Sequence, residues 1–103
     1  MTKIAIATIM SLLISHSAFA ESTAIDVKKT SGCGCCLSWM EHLEENGFEP
    51  SGEDMFAALL IRFKIDNRIP QSMMSCHTAV VGDYVIEGHV PAADIQRLLR
   101  ERP

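Results

Sequence analysis

Three of the chain's four cysteines fall within four consecutive positions, Cys33-Gly34-Cys35-Cys36, and the fourth, Cys76, lies far downstream. Cys33 and Cys36 have Cys-x-x-Cys spacing. With Cys36 at the start of a helix, the unpaired backbone N–H groups and the helix dipole favour thiolate over thiol. A thiolate serves two chemistries: it is the nucleophile of disulfide exchange and a ligand for soft metal ions. Cys35 tips the choice. A redox pair needs two sulfurs, and a third between them diverts the bridge into unproductive pairings. A soft metal gains a ligand, since thiolates select Cu(I) and Zn and can bridge more than one Cu(I). The cluster therefore points first to copper, with Gly32 and Gly34 letting the turn bend enough for its sulfurs to converge.

A purely structural disulfide framework fits the spacing less well. Four cysteines allow three pairings. One of these joins neighbouring Cys35 and Cys36 in a strained eight-membered ring, and the others link Cys33 to Cys35 or to Cys36. Such short loops restrain little of the unfolded chain. Two alternatives stay open: an inert bridge within the cluster, and a structural disulfide from Cys76 to the cluster that alternates with metal binding.

Further soft or borderline donors lie near Cys76. Met73 and Met74 precede it in Gln71-Ser72-Met73-Met74-Ser75. Thioether suits Cu(I) and survives oxidising conditions better than thiolate, though a methionine pair also fills gaps in a core. His77 adjoins Cys76, but adjacent side chains at a strand entrance point opposite ways, so only one of them faces the cluster. His89, in Glu87-Gly88-His89-Val90-Pro91, is favoured over His77 as a ligand. His42 reads as a solvated residue among glutamates, and Met40 and Met55 as core.

The elements that must position these residues follow from periodicity. Residues 24–29 (AIDVKK) alternate like a half-buried strand. A glycine-containing turn over 30–35 leads into a helix from about Cys36 to Asn46, with Met40 and Leu43 on its buried stripe, Trp39 and Leu43 paired at i,i+4, and Asn46-Gly47 as its stop. Residues 48–53 form a short, poorly patterned strand. Asp54 is placed to cap a second helix over Met55 to Lys64, with Phe56, Leu59, Leu60 and Phe63 at helical spacing. An irregular stretch punctuated by Pro70 precedes strands at 78–81 and 84–87, joined by the two-residue turn Gly82-Asp83. Pro91 then opens a final helix through Arg100. The order β-α-β-α-β-β-α, with cysteines between the first strand and first helix, is the thioredoxin-like arrangement of an α/β domain. In that fold the loop before the hairpin packs against the cysteine turn, which would bring Cys76 beside Cys33, Cys35 and Cys36.

The N-terminus reads as a secretory signal peptide: Lys3, an apolar run from Ile4 to Leu13, and a small-x-small site at Ala18-Phe19-Ala20. The run is shorter than the ~20 apolar residues that span a bilayer. Residue 21 is Glu, which argues against lipoprotein processing. Residues 1–20 are thus expected to be removed, leaving 21–103 as one small exported domain, periplasmic in a Gram-negative cell. Domains of this size often draw on a disulfide or a metal. The formal net charge of −4 becomes more negative once Lys3 is lost, which argues against nucleic acid and anionic membranes as partners. A monomer is expected.

Together, Cys33-Gly34-Cys35-Cys36-x-x-Trp39, Ser75-Cys76-His77-Thr78-Ala79-Val80-Val81 and Glu87-Gly88-His89-Val90-Pro91 resemble the small CopG-type periplasmic proteins of copper-resistance clusters, over about residues 24–102. The resemblance implies a thioredoxin-like domain that binds copper in copper tolerance. Carried over by position, the ligands are Cys33, Cys35, Cys36, Cys76, a methionine at 73 or 74, and His89. The chain departs from the pattern at Thr30-Ser31-Gly32, where members often carry proline, and in its Met73-Met74 pair. The expected function is a copper-binding protein that holds Cu(I), as several ions or cycling with Cu(II), among other periplasmic copper-handling proteins. The competing readings are a thiol–disulfide oxidoreductase using Cys33 and Cys36, and a zinc or structural site.

Overall fold

The computed structural model describes residues 22–103; the signal-peptide reading lies outside them. The first strand, β1 (Thr23–Lys29), sorts its side chains by alternation. Ile25, Val27 and Lys29 are buried on one face, and Ala24 and Asp26 are exposed on the other. Helix α1 follows at Gly34–Glu45, then β2 (Phe48–Asp54), α2 (Ala57–Asp66), a short 3-10 turn (Gln71–Met73), the hairpin β3 (His77–Val81) and β4 (Tyr84–Glu87), and α3 (Ala92–Glu101). The expected order of elements is the one observed, with the 3-10 turn added.

The four strands form one mixed sheet in the order β2-β1-β3-β4. β1 pairs in parallel with β2, from Thr23 opposite Phe48 to Lys29 opposite Asp54. It pairs antiparallel with β3, with Lys29 opposite His77. That last pair matters most for the site. The chain leaves β1 at Lys29 toward the cysteine turn and enters β3 at His77 directly after Cys76, so both cysteine segments emerge at one edge. Gly82, at φ +55°, takes the first position of the two-residue hairpin turn, and Val81 pairs with Tyr84 across it.

The two faces of the sheet differ in chemistry. One carries Ile25, Val27, Ala79, Val81 and Ile86, packed with Trp39 and Leu43 of α1 and Ala92 and Ile95 of α3 into the hydrophobic core. The register puts Lys28, Thr78 and Glu87 on the other face, where α2 brings Phe63 under the Lys28 ammonium and Lys64 onto Thr78 and Glu87.

Several departures from expectation gather around α2. α2 starts at Ala57 with Phe56 as its N-cap, rather than at Met55 under an Asp54 cap. Asp54 is instead the last residue of β2 and forms an ion pair with the buried Lys29. Only Leu60 and Lys64 of α2 are buried, while Phe56 is 83% exposed and Leu59, Ile61 and Ile65 are exposed. A helix resting on a mostly polar face has little apolar surface on which to bury its own stripe. At the other helices, α1 begins at Gly34, two residues before the expected start, and Pro91 is the N-cap of α3 rather than its first residue. Among the described residues, no helix is long and apolar enough to cross a membrane.

Candidate functional site

The cysteine turn is built by Gly32, which bends the chain at φ +73°, a conformation that L residues with a Cβ adopt only at a cost. Cys33 is the N-cap of α1, and its carbonyl accepts the first helical bond from Leu37 N–H at 3.2 Å. Gly34, Cys35 and Cys36 therefore form the first turn, whose N–H groups have no partner inside the helix. Cys35, expected just outside the helix, lies within this positive end together with Cys36. Cys33 and Cys36 are joined by a disulfide. Cys36 is buried, Cys33 half-buried and Cys35 exposed.

Cys35 is the hub of the sulfur geometry. Its Sγ lies 3.5 Å from Cys33 Sγ and 3.6 Å from Cys76 Sγ. The three sulfurs of the turn lie within 4.8 Å of one another, and Cys76 adds a fourth through its contact with Cys35. Hydrogen bonding to Cys35, reinforced by the repulsion between two neighbouring thiolates and by slight burial, pushes the Cys76 thiol above its ordinary value.

The loop that carries Cys76 is held from below by a buried polar network. Lys64 Nζ donates to Glu87 Oε2 at 2.7 Å and to Thr78 Oγ1 at 2.8 Å. Ser75 N–H donates to the same carboxylate oxygen at 2.8 Å, and Thr78 Oγ1 donates to the other. Burial pushes the Glu87 carboxyl up, but these donors outweigh it and hold the group below the usual carboxylate range. Gly88, at φ +80°, lets the chain pass Ser75 closely: a Cβ there would stand 3.1 Å from Ser75 Oγ. None of Lys64, Thr78 or Glu87 stood out in the sequence as a site residue. The one available signal was Lys64, four residues after Leu60 on the inward face of a helix.

The histidines divide sharply. His77 is fully buried. Its ring stacks on Trp39 with centroids 4.3 Å apart, and the His89 ring lies 5.1 Å away, tilted against it. His77 Nε2 lies 2.8 Å from Gly88 O, an arrangement in which the ring N–H donates, and its buried Nδ1 has no partner among the described residues. Burial pushes the imidazole below its ordinary value, against the pull of the Gly88 carbonyl. Cys76 and His77 thus diverge, one exposed at the cluster and one buried under Trp39. His89 is exposed and falls outside the group of mutually close turn sulfurs. Its loop is tied to α1 by the Trp39 indole N–H, which donates to Val90 O at 2.8 Å. His42 is not the solvated residue expected: it is half-buried, and its Nε2 accepts Ala92 N–H at 3.0 Å, capping α3.

Met73 is exposed in the 3-10 turn, and Met74 is the half-buried cap of that turn, two residues before Cys76. Met74 lines a cleft of about 280 Å³ with Ile61, Ile65, Ile69 and Gln71. Met40 packs against the core, as expected, while Met55 lines a separate cleft beside Phe56 and Leu59.

The arrangement has two chemical states. With the bridge closed, Cys33 and Cys36 have no thiolate to offer. Two electrons and two protons open it to two thiols, and the site then presents three sulfurs from the turn with Cys76 against them. Such a donor set is soft, and closed by no carboxylate.

Comparison with known proteins agrees with the motifs. A family described as "Protein of unknown function, DUF411" matches residues 73–103. A solved structure titled "Copper resistance protein copG- Form 2" is 46% identical, with a TM-score of 0.69, over 77% of this chain and 62% of its own. A second, titled "Copper resistance protein copG- Form 1", is 44% identical, with a TM-score of 0.70, over 78% and 62%. No match is found among curated protein sequences. The chain is therefore similar to CopG copper resistance proteins in sequence and fold, and it spans about three-fifths of the length of the two structures.

Proposed function

From this likeness to CopG copper resistance proteins and from the sulfur cluster, we propose that the chain is a copper-binding protein of copper tolerance that holds Cu(I) in a cysteine-rich site. The observation that carries the reading is the position of Cys35 Sγ, within 3.6 Å of both Cys33 Sγ and Cys76 Sγ, because thiolates at such spacing can bridge soft metal ions. The proposed ligands are Cys33, Cys35, Cys36 and Cys76, with a thioether from Met73 or Met74 and the imidazole of His89 completing the set. Several ions can be held by so many sulfurs, and cycling between Cu(I) and Cu(II) would give the site a copper oxidoreductase role. In this reading residues 1–20 are a cleaved export signal and 21–103 a thioredoxin-like domain at work in the periplasm. It acts there as a monomer, with copper ions and other copper-handling proteins as its partners.

Anaerobic titration of the reduced protein with Cu(I), against a competing chelator, tests this. One or more ions should bind per chain, and Cys35→Ser with Cys76→Ser should lower the stoichiometry. Binding below one ion per chain, or binding indifferent to those substitutions, would refute it. The Cys33–Cys36 disulfide at the start of α1 favours a second reading, a thiol–disulfide oxidoreductase. That reading requires the metal-free protein to reduce or isomerise a protein disulfide and to keep doing so in Cys35→Ser.

A further inference from the structure

Beyond metal binding, the sulfurs form an unbroken line: Cys36 bonded to Cys33, Cys33 Sγ 3.5 Å from Cys35 Sγ, and Cys35 Sγ 3.6 Å from Cys76 Sγ. Only the first link is a bond, and each of the others is a near contact between a disulfide or thiol sulfur and its neighbour. Burial changes along the line as well, from buried Cys36 through half-buried Cys33 to exposed Cys35 and Cys76. We propose that this line is an internal disulfide relay, in which the bridge migrates from the buried Cys33–Cys36 pair to the exposed Cys35–Cys76 pair, and that Cys76 is the sulfur at which an external thiol meets it.

Each step is an ordinary thiol–disulfide exchange. Cys35 passes its proton to solvent, and the resulting thiolate attacks Cys33 Sγ. A Cys33–Cys35 bond forms, the Cys33–Cys36 bond breaks, and the electron pair leaves on Cys36, whose thiolate is stabilised by the first turn of α1. The Cys76 thiolate, formed by passing its proton to solvent, then attacks Cys35 Sγ. A Cys35–Cys76 bond forms, the Cys33–Cys35 bond breaks, and Cys33 leaves as a thiolate; the Cys33 and Cys36 thiolates each take a proton back from solvent. One disulfide and two reduced sulfurs are present throughout, so no oxidant or reductant is consumed. The alternative route, direct attack on Cys36, is closed by its burial. A small external thiolate then attacks Cys76 Sγ at the rim: a mixed disulfide forms on Cys76, the Cys35–Cys76 bond breaks and Cys35 leaves as a thiolate, and a second external thiol releases Cys76, so that all four cysteines end reduced without opening the core. The inference needs no metal and holds whether or not copper binds.

The test uses metal-free protein with a single disulfide, incubated with chelator at pH 8, acid-quenched at successive times, then unfolded and alkylated so that buried sulfurs also react, and mapped by mass spectrometry. In the starting state only Cys35 and Cys76 are free. The relay predicts label appearing at Cys33 and Cys36 as well, in a first-order process independent of protein concentration, together with a Cys35–Cys76 cross-link in the same samples. In Cys35→Ser the labelling of Cys33 and Cys36 should fall by roughly tenfold or more, because exchange depends on access to the bridge. In Cys76→Ser label should still reach Cys36 but no cross-link to the β3 loop should form. Both substituted residues are exposed, so the fold is retained. Wild-type protein that keeps Cys33 and Cys36 unlabelled, or labels them as fast in Cys35→Ser, overturns the proposal. Loss of copper binding with the relay intact would refute the copper reading alone.

Discussion

Replacing Lys64 by Met tests whether the buried network, and not apolar packing, holds the Cys76 loop in place. Lys64 is 2% exposed, and its ammonium donates to both Glu87 and Thr78. A hydrogen bond between charged partners contributes about 1.5–3 kcal/mol and a neutral-acceptor one about 0.5–1.5 kcal/mol. Met fills most of the vacated volume, and the Glu87 carboxylate keeps Ser75 N–H and the Thr78 hydroxyl as donors. These residual donors place the cost near the lower end of the 3–5 kcal/mol typical of breaking a buried pair, at about 3 kcal/mol. Urea unfolding at pH 7 measures it, with the midpoint shifting and the slope unchanged. Adding Glu87→Gln in the same chain removes the stranded charge, so the double variant should be more stable than the sum of the singles requires, by about 1–2 kcal/mol. A loss below about 1 kcal/mol in Lys64→Met, or strict additivity of the two substitutions, would refute the reasoning.

Three further outcomes follow from the geometry. His77 is held neutral by burial, with its folded pKa below the unfolded value of about 6.5; the unfolded chain therefore takes up the proton first, and stability present above pH 6.5 is lost as pH falls below it. Glu87 is depressed in the folded state, so its contribution is present above about pH 4.3 and is lost as pH falls through the lower folded value; urea midpoints from pH 8 to 3 should show both losses, the second smaller in Lys64→Met. Gly88→Ala forces a Cβ to 3.1 Å from Ser75 Oγ at φ +80° and should cost about 1–3 kcal/mol in urea unfolding, with faster alkylation of Cys76. His42→Ala removes the acceptor for Ala92 N–H and should cost about 1 kcal/mol, the usual value of a helix cap, read as a lower thermal midpoint.

What was legible in the sequence was local. The alternation of β1, the Gly82-Asp83 hairpin and the stop at Asn46-Gly47 are set by residues within a few positions of one another, and all three are observed. The start of α1 was misplaced by two residues because its N-cap is a cysteine with no capping side-chain bond, so no Ser, Thr, Asp or Asn marks it. Asp54 looked like such a marker, yet its partner is Lys29, set by a strand register that spans 25 residues. Phe56 and Leu59 kept helical spacing but face outward, because what lies beneath α2 is decided by Thr78 and Glu87 on other strands. The cysteines of the site were visible as a cluster; the Lys64–Glu87 pair that seats Cys76 was not, since neither residue is unusual until the fold brings them together.

The pairing of Lys29 with His77 also determines how strongly the site is linked to the integrity of the domain. Cys33 and Cys36 are three positions apart, so closing them constrains almost none of the unfolded chain. Cys35 and Cys76 are 41 positions apart, and a bond across that span lowers the entropy of the unfolded chain by an amount worth about 4 kcal/mol in the chain-entropy model. A metal ion held between the same two sulfurs draws the same segments together, and adds stability that grows with its free concentration. For a domain this small, that is a large share of the whole. Whatever occupies the gap between Cys35 and Cys76 therefore sets the melting temperature, and the unfolding transition becomes a direct reading of the occupancy of the site.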